Sequence, residues 1–344
     1  MTRRIMAFVV PVAVALVITA LLLIAAGAPP LEALKLIGEG AFGGWGRVAD
    51  TLMAWIFLGI AAAGLVVTFK AGLWNIGVEG QIIAGAIAAS AISRSMGGGS
   101  AVVIPLVLAA SVAGGAAWGW LAGLLRVKGR VNEIFGGIGL GFVAQSLATY
   151  LVIGPWKRPG IASTSGTEPF RDETWLPTVG DTRLSWVGLV ILALSLIGVG
   201  VMLDRTRFGL RLRAVGSNPA SARLLGVPAN STLLQAFSWG GGLAGLAGGL
   251  IVAGLQHKLV PAIAGGRGFL AVLIVLLARS RVTWVAPIAL FFAAISVGSS
   301  QLQLRLDLDS SLGAVIQGVL VLSAVLYAGW QATRALRRRR EVIG

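Results

Sequence analysis

Three polar residues stand close together in a stretch that is otherwise apolar, KAGLWNIGVEGQIIAG from Lys70 to Gly85. They are Asn75, Glu79 and Gln81, and a long hydrophobic segment lies on each side of them. An ionised glutamate at the centre of a bilayer costs at least about 2.5 kcal/mol, so such a residue usually faces a bundle interior or a wet cavity. We expect Asn75 to cap the helix that carries the segment after it. The three groups can bond to broken backbone or to a polar solute and its gate, and the sequence leaves both interpretations open.

Residues suited to catalysis or metal binding are scarce elsewhere in the chain. The sequence has no cysteine and one histidine, His257, which leaves no thiolate chemistry and almost no basis for histidine chemistry. It also has no G-x-x-x-x-G-K-[S/T] phosphate loop. We therefore predict no catalytic residue, no metal site and no cofactor held by this chain.

The composition is that of a helical integral membrane protein. Hydrophobic residues make up 56% of the 344 residues, charged residues only 12%, and the mean hydropathy is +0.88. Soluble domains carry about 25% charged residues, and the apolar runs are too unbroken for the alternating strands of a membrane barrel. We predict about ten transmembrane helices, of which the third and eighth are short, at 6–28, 51–69, 77–92, 101–125, 134–154, 184–203, 232–255, 268–279, 283–304 and 312–333.

The distribution of positive charge predicts the topology. With both termini in the cytoplasm, the inside loops hold 18 of the 28 basic residues, as the positive-inside rule requires. The net charge of +15 therefore indicates contact with anionic lipid and needs no nucleic-acid partner. We expect one transmembrane domain over 1–344, with a first span in 1–30, an extracytoplasmic loop at 155–183, a cytoplasmic loop at 204–231 and a basic cytoplasmic tail at 334–344.

The long cytoplasmic loop contains a short helix with clear boundaries. Asn218 is a good N-cap, Pro219 fits the first helical position, and Gly226 can take the left-handed position that ends a helix. A helix of about two turns is unstable in water unless it packs on something. It either packs on its own membrane domain or docks into a groove on a soluble partner.

Several segments resemble one family of transporters. The loop GLRLRAVGSNPASARLLGVP resembles the coupling loop of permeases of ATP-binding-cassette (ABC) importers, in the branched-chain-type branch that handles nucleosides and simple sugars. GLWNIGVEGQ resembles the signature of its nucleoside-type permeases. Further matches are VNEIFGGIGLGFVAQSLATYLV and GGRGFLAVLIVLLARSRVTWVAP. The resemblance extends from about Leu31 onward, although 279–287 departs from the family pattern and leaves the solute and the inner gate open.

The resemblance implies a type II importer permease with inverted repeat halves, in the bacterial plasma membrane. It implies a non-catalytic subunit that translocates a nucleoside-like solute by alternating access; the alternative is the same architecture with a simple sugar or a riboflavin-like solute. The implied partners are a second permease subunit in a heterodimer, two ATPase subunits that bind ATP and Mg²⁺, and an extracytoplasmic solute-binding protein.

The resemblance also implies roles for particular residues. The expected solute path or gate consists of Asn75, Glu79, Gln81, Asn132, Glu133 and Gln145. The expected contact with the ATPase consists of Gly216, Ser217, Asn218, Pro219, Ala222, Arg223 and Gly226. Apart from these roles, the glycine run GGGLAGLAGG at 240–249 predicts tight helix packing.

Two other classes of function fit the sequence less well. A stand-alone secondary transporter needs an intramembrane titratable pair for ion coupling, and only Glu79 is a candidate for a buried charge. A membrane-embedded enzyme needs a cluster of His, Cys or Asp at membrane depth, and the sequence offers none.

Overall fold

The structure is a computed structural model that describes residues 14, 17–21, 23–25, 27, 29–160, 165–306, 309 and 311–343, with side chains as far as residue 327. These residues are helical or irregular, apart from one isolated β-bridge between Thr178 and Ser185, so the prediction of an all-α protein is confirmed. We number the helices from α1 to α13: Pro30–Phe42, Trp45–Lys70, Val78–Ser95, Ser100–Val127, Glu133–Ile153, Trp186–Arg205, Arg207–Ser217, Pro219–Leu224, Ala229–Ile251, Arg267–Leu277, Val282–Gly298, Ser300–Leu306 and Leu312–Ile343.

A helix coincides with every predicted span from 51–69 onward. Within the described residues, six stretches are long and apolar enough to cross a membrane: α2, α4, α5, α6, α9 with its extension to Gln256, and α11 with α12. A seventh candidate is a bent pair, Val17–Ala25 with α1, whose axes differ by 104°. The helices α3, α10 and the apolar part of α13 do not meet the same test, so the count of ten spans stays a prediction. Most of the first predicted span lies outside the described residues.

The chain divides into two compact units, and the single domain over 1–344 remains a prediction. One unit comprises the described residues of Met1–Thr51 and Phe291–Gly344, and the other is Leu52–Leu290. In the first, Ile37 and Leu302 belong to a buried apolar cluster, and Gln317 donates to the carbonyl of Phe292 at 2.7 Å. The second unit contains all the candidate site residues.

Glycines allow the helices at the centre of the larger unit to pack backbone against backbone. A side chain at Gly245 of α9 would collide with the carbonyl oxygen of Ser111 in α4, and one at Gly85 of α3 would collide with Gly245 itself. Gly248 lies in the same way against the carbonyl of Ile82. The predicted tight packing of the 240–249 run is confirmed, and it brings α3, α4 and α9 together beside the candidate site.

The chain between α9 and α10 is irregular. A π-helical segment, Val252–Gln256, widens the end of α9, and His257 then takes a left-handed conformation with φ of 52°. Residues 257–266 form a loop, which leads into α10 through Gly265 and Gly266, both at positive φ. Such π-bulges are often found at functional sites.

Candidate functional site

Glu79, in the first turn of α3, binds the N-terminus of α10. One carboxylate oxygen accepts from the backbone N–H of Gly266 and the other from that of Gly268, each at 2.7 Å. A helix N-terminus has free N–H groups and a positive dipole end, so it favours a carboxylate. Glu79 therefore caps a helix that lies 187 residues further along the chain.

Gly268 is the residue that permits this contact. A Cβ atom at position 268 would lie 2.5 Å from the Glu79 carboxylate, 2.7 Å from its backbone nitrogen and 2.8 Å from its Cα. Two of these three atoms belong to the backbone and cannot swing away. A side chain at this position would thus separate α3 from α10.

The length of α10 indicates the depth at which its contact with Glu79 would lie in a membrane. Helix α10 has 11 residues, so it is about 16 Å long at about 1.5 Å per residue, roughly half of the 30 Å hydrocarbon core. Its N-terminus thus stands near the midplane if its other end reaches the surface. Many transporters place the N-termini of broken helices at this depth, next to the solute.

Asn75 and Gln81 bind each other. Their side-chain amides exchange two hydrogen bonds of 3.0 Å, and both residues are buried, at 1% and 0% exposure. The expectation that Asn75 caps α3 is wrong: the N-cap is Gly77, and no side chain caps that end. Because a reciprocal amide pair closes the turn at 75–81, both amides are already bonded within this turn.

Gln145 of α5 also contacts the loop between α9 and α10. Its side-chain nitrogen donates to the carbonyl of Pro261. On another side of the loop, Thr167 accepts from the N–H of Leu259 through its hydroxyl and donates its own N–H to the Leu259 carbonyl. The loop 257–266 is therefore tied to α3, to α5 and to the segment 165–176 at once.

The other two predicted path residues lie at the start of α5 and do not touch this contact. Asn132 is the N-cap and accepts from the N–H of Ile134 at 2.9 Å. Glu133 forms an ion pair of 2.9 Å with Arg126 at the end of α4. One turn later, Gly137 lies against Gly77, so α5 packs on the turn at 75–81 at a pair of glycines.

Two features of the site were missed by sequence reasoning. Arg267 lies near Glu79 but turns its guanidinium back on the carbonyls of Ile263 and Ala264. The Nε1 of Trp118 in α4 is buried beside Gly80 and has no hydrogen-bond partner among the described residues. The sequence gives no signal that identifies Trp118. Arg267 lies in the GGRGF stretch, which was noted only because it resembles a segment of the transporter family.

The predicted cytoplasmic helix forms as the sequence indicates. In α8, the Asn218 side chain accepts from the N–H of Ala220 at 3.0 Å and of Ser221 at 3.1 Å, with Pro219 in the first position. Gly226, at φ of 76°, follows its end. Ala222 is buried in a small cluster with Val215 and Ala229, shared by α7 and α9.

Two apolar side chains are exposed at the end of α8. Leu224 is 90% exposed and Leu225 is 81% exposed, whereas Arg223 reaches Asn230 at 3.4 Å. Ser217 bonds back to its own helix through the carbonyl of Arg213. Of the seven residues assigned to the ATPase contact, Ala222 packs inward, and the two leucines that face outward were not among them.

The segment 165–176 covers the end of α9. Phe170 donates its N–H to the carbonyl of His257 at 2.8 Å, and Leu176 donates to that of Ala253 at 3.0 Å. The rings of Trp175 and His257 stack at 4.0 Å between centroids. Burial lowers the pKa of His257, whose Nδ1 has no hydrogen-bond partner among the described residues.

Comparison with known proteins shows similarity over most of the chain. A family model described as "Branched-chain amino acid transport system / permease component" matches residues 47–325. The glucose ABC transporter permease protein TsgB13 of Haloferax volcanii is 30% identical, over 91% of this chain and 85% of the relative. The guanosine ABC transporter permease protein NupP of Bacillus subtilis is 24% identical over 94% of each chain. The nucleoside ABC transporter permease protein NupB of Lactococcus lactis is 25% identical, over 87% of this chain and 84% of the relative.

One solved structure also aligns with most of the chain. It is PsaBC from Streptococcus pneumoniae in complex with Fab, with a TM-score of 0.45 and 13% identity over 86% of this chain and 93% of that one.

Proposed function

This chain belongs to the family of branched-chain amino acid transport system permease components and is a multi-pass permease subunit of an ABC transporter, and we propose that it imports a nucleoside-like solute. The WNIGVEGQ turn and the relatives named for guanosine and nucleoside transport support this solute. In this proposal the chain lies in a bacterial plasma membrane with both termini in the cytoplasm, and it catalyses no reaction itself.

The geometry of α8 carries the proposal that ATP drives transport. Leu224 and Leu225 form an exposed apolar pair at the end of a helix that Asn218 fixes at its start. Exposure of two neighbouring leucines to water is unfavourable, and a groove on a soluble partner would bury them. We infer that α8 docks into a cleft of an ATPase subunit and transmits the closure of two such subunits to the membrane. A second permease in a heterodimer and a solute-binding protein complete the assembly.

The proposed path passes the contact between α3 and α10. Glu79 is bonded by both oxygens, and Asn75 and Gln81 are bonded to each other, so none of them is ready to bind a solute. The N–H of Trp118 beside Gly80 has no hydrogen-bond partner within the part of the chain that the structure describes, so it can serve as a donor in the same region. We infer that Glu79 holds a gate closed and that Trp118 faces the solute when the gate opens.

Substitutions in α8 test the docking proposal. The variant with Leu224→Asp and Leu225→Asp should lose co-purification with the ATPase while still inserting into the membrane. Thr178→Asp with Val179→Asp is the matched control, because it adds the same two charges at exposed residues outside the candidate membrane spans. Unchanged co-purification of the α8 variant would refute docking through these leucines.

Solute uptake tests the second part of the proposal. Cells with and without this chain are given labelled guanosine, with adenosine, uridine, ribose, glucose and riboflavin as competitors. We expect uptake that needs the chain and is blocked by nucleosides but not by ribose or glucose. Guanosine uptake that is unchanged when the chain is removed refutes the nucleoside assignment.

A simple sugar is the second candidate solute. The supporting observation is the 30% identity to a permease named for glucose, over 85% of that relative. Selective competition by glucose, together with glucose uptake that needs the chain, would support this assignment in place of the first. A riboflavin-like solute is tested in the same assay, because a relative named for probable riboflavin import is 28% identical.

A further inference from the structure

Helix α7, Arg207–Ser217, lies at the level where two candidate spans end. Near its start, a side chain at Gly209 would collide with the carbonyl oxygen of Leu203 in the last turn of α6. Near its end, a side chain at Gly216 would collide with the carbonyl oxygen of Lys70, the last residue of α2. Because both ends of α7 touch the ends of membrane spans, α7 runs along the membrane surface.

The two sides of α7 differ in character. Gly209, Leu212 and Val215 are buried against the protein. The opposite side exposes Arg207, Leu210 and Arg211 at helical spacing, and Leu210 is 64% exposed. An exposed leucine between two arginines is typical of an interfacial helix, in which the leucine enters the acyl boundary and the cations stay among the headgroups.

The arginines on this side have no acidic partner in the described part of the chain. Arg213 forms an ion pair of 3.2 Å with Asp204. Among the described residues, Arg205, Arg207 and Arg211 form no ion pair, and all three are exposed. A guanidinium group matches the geometry of phosphate and can bind it with two hydrogen bonds.

We propose that Arg205, Arg207, Leu210 and Arg211 form a binding surface for anionic phospholipid. The surface lies where headgroups are, its charge is opposite to theirs, and its one leucine can reach the acyl boundary. Ser217, the last residue of α7, is followed at once by Asn218, the cap of α8. Lipid bound to α7 therefore fixes the start of the helix that we infer couples to the ATPase.

Lipid titration of the purified full chain tests this surface. Phosphatidylglycerol is titrated in detergent, and retained lipid is counted by native mass spectrometry, with phosphatidylcholine as the neutral probe. The variant has Arg205→Gln, Arg207→Gln and Arg211→Gln. Its control has Lys157→Gln, Arg158→Gln and Arg183→Gln, which removes the same charge from exposed residues of another loop.

We expect the variant to bind phosphatidylglycerol at least about tenfold more weakly than the wild type, since each basic residue near an anionic surface contributes measurably. The control should bind it as the wild type does, and phosphatidylcholine binding should be equal in all three. Equal retention of phosphatidylglycerol by variant and control would overturn the proposal. Unchanged lipid binding with loss of ATPase co-purification in detergent would assign the arginines to the ATPase and overturn it as well.

Discussion

Replacing Glu79 should destabilise the protein by an amount that follows from its two hydrogen bonds. Each joins a carboxylate oxygen to a backbone N–H at 2.7 Å, and hydrogen bonds to charged groups contribute about 1.5–3 kcal/mol each. Glu79→Ala removes both acceptors, so we expect a loss of roughly 3–6 kcal/mol in the free energy of unfolding. Glu79→Gln keeps one acceptor oxygen and places an NH₂ group before the other N–H, so about half of that loss is expected.

The assay is unfolding of the purified protein by SDS in mixed micelles, followed by the fluorescence of its 11 tryptophans. Glu173→Gln is the matched control, because Glu173 is exposed, and it should change the free energy by less than about 0.5 kcal/mol. A Glu79→Gln variant as stable as this control would refute the capping role.

A double-mutant cycle with Gly268 sharpens the test. Gly268→Ala places a Cβ atom 2.7 Å from the Glu79 backbone nitrogen, which should separate the two helices and cost about 1–3 kcal/mol by overpacking. Once they are separated, Glu79→Gln has little left to remove. We expect the two losses to be clearly non-additive, and strict additivity would show that Gly268 does not hold Glu79 in place.

Three further predictions concern other parts of the larger unit. Gly245→Ala should lower the free energy of unfolding by about 1–3 kcal/mol, because its Cβ would collide with the Ser111 carbonyl. Gly198→Ala is the control, because a Cβ there meets open space. Equal effects of the two substitutions in the SDS assay would contradict this. Asn218→Ala should cost about 1 kcal/mol of helix stability and speed amide exchange at the two N–H groups that it caps, and unchanged exchange would contradict the cap. Protection of the backbone amides of 165–176 against hydrogen exchange should fall as the pH drops below about 6.5. Burial lowers the pKa of His257, so the state in which this segment has opened binds a proton more readily than the closed state. His257→Asn should abolish this pH dependence.

Short-range chemistry made some of these features predictable. The cap at Asn218, the proline after it and the glycine at 226 act within nine residues, so their types alone specify α8. The 240–249 glycines predicted close packing because the spacing places them on helix faces. In both cases, the information lies in one continuous segment.

Long-range contacts could not be read in the same way. The Glu79 carboxylate could accept hydrogen bonds from the start of its own helix or from that of α10. Which of the two it caps depends on a partner 187 residues away in the sequence. Asn75 was expected to cap α3, but its side chain bonds to the Gln81 amide instead. In this pair each side chain satisfies one donor and one acceptor of the other. The exposure of Leu224 and Leu225 likewise depends on which side of α8 packs on Val215. A helix of six residues is too short for its apolar positions to show which side that is.

The bonded state of Glu79 favours gating over direct recognition of the solute. Both oxygens are engaged by N–H groups that belong to one helix start, so a solute could take their place only if α10 moved away. Such a movement would also pull on the loop 257–266, which Gln145 holds through Pro261 and Thr167 holds through Leu259. A change at the segment 165–176 and a change at the contact between Glu79 and α10 are thus linked through ten residues of backbone. In a transporter this linkage would let one side of the path open only when Glu79 releases α10.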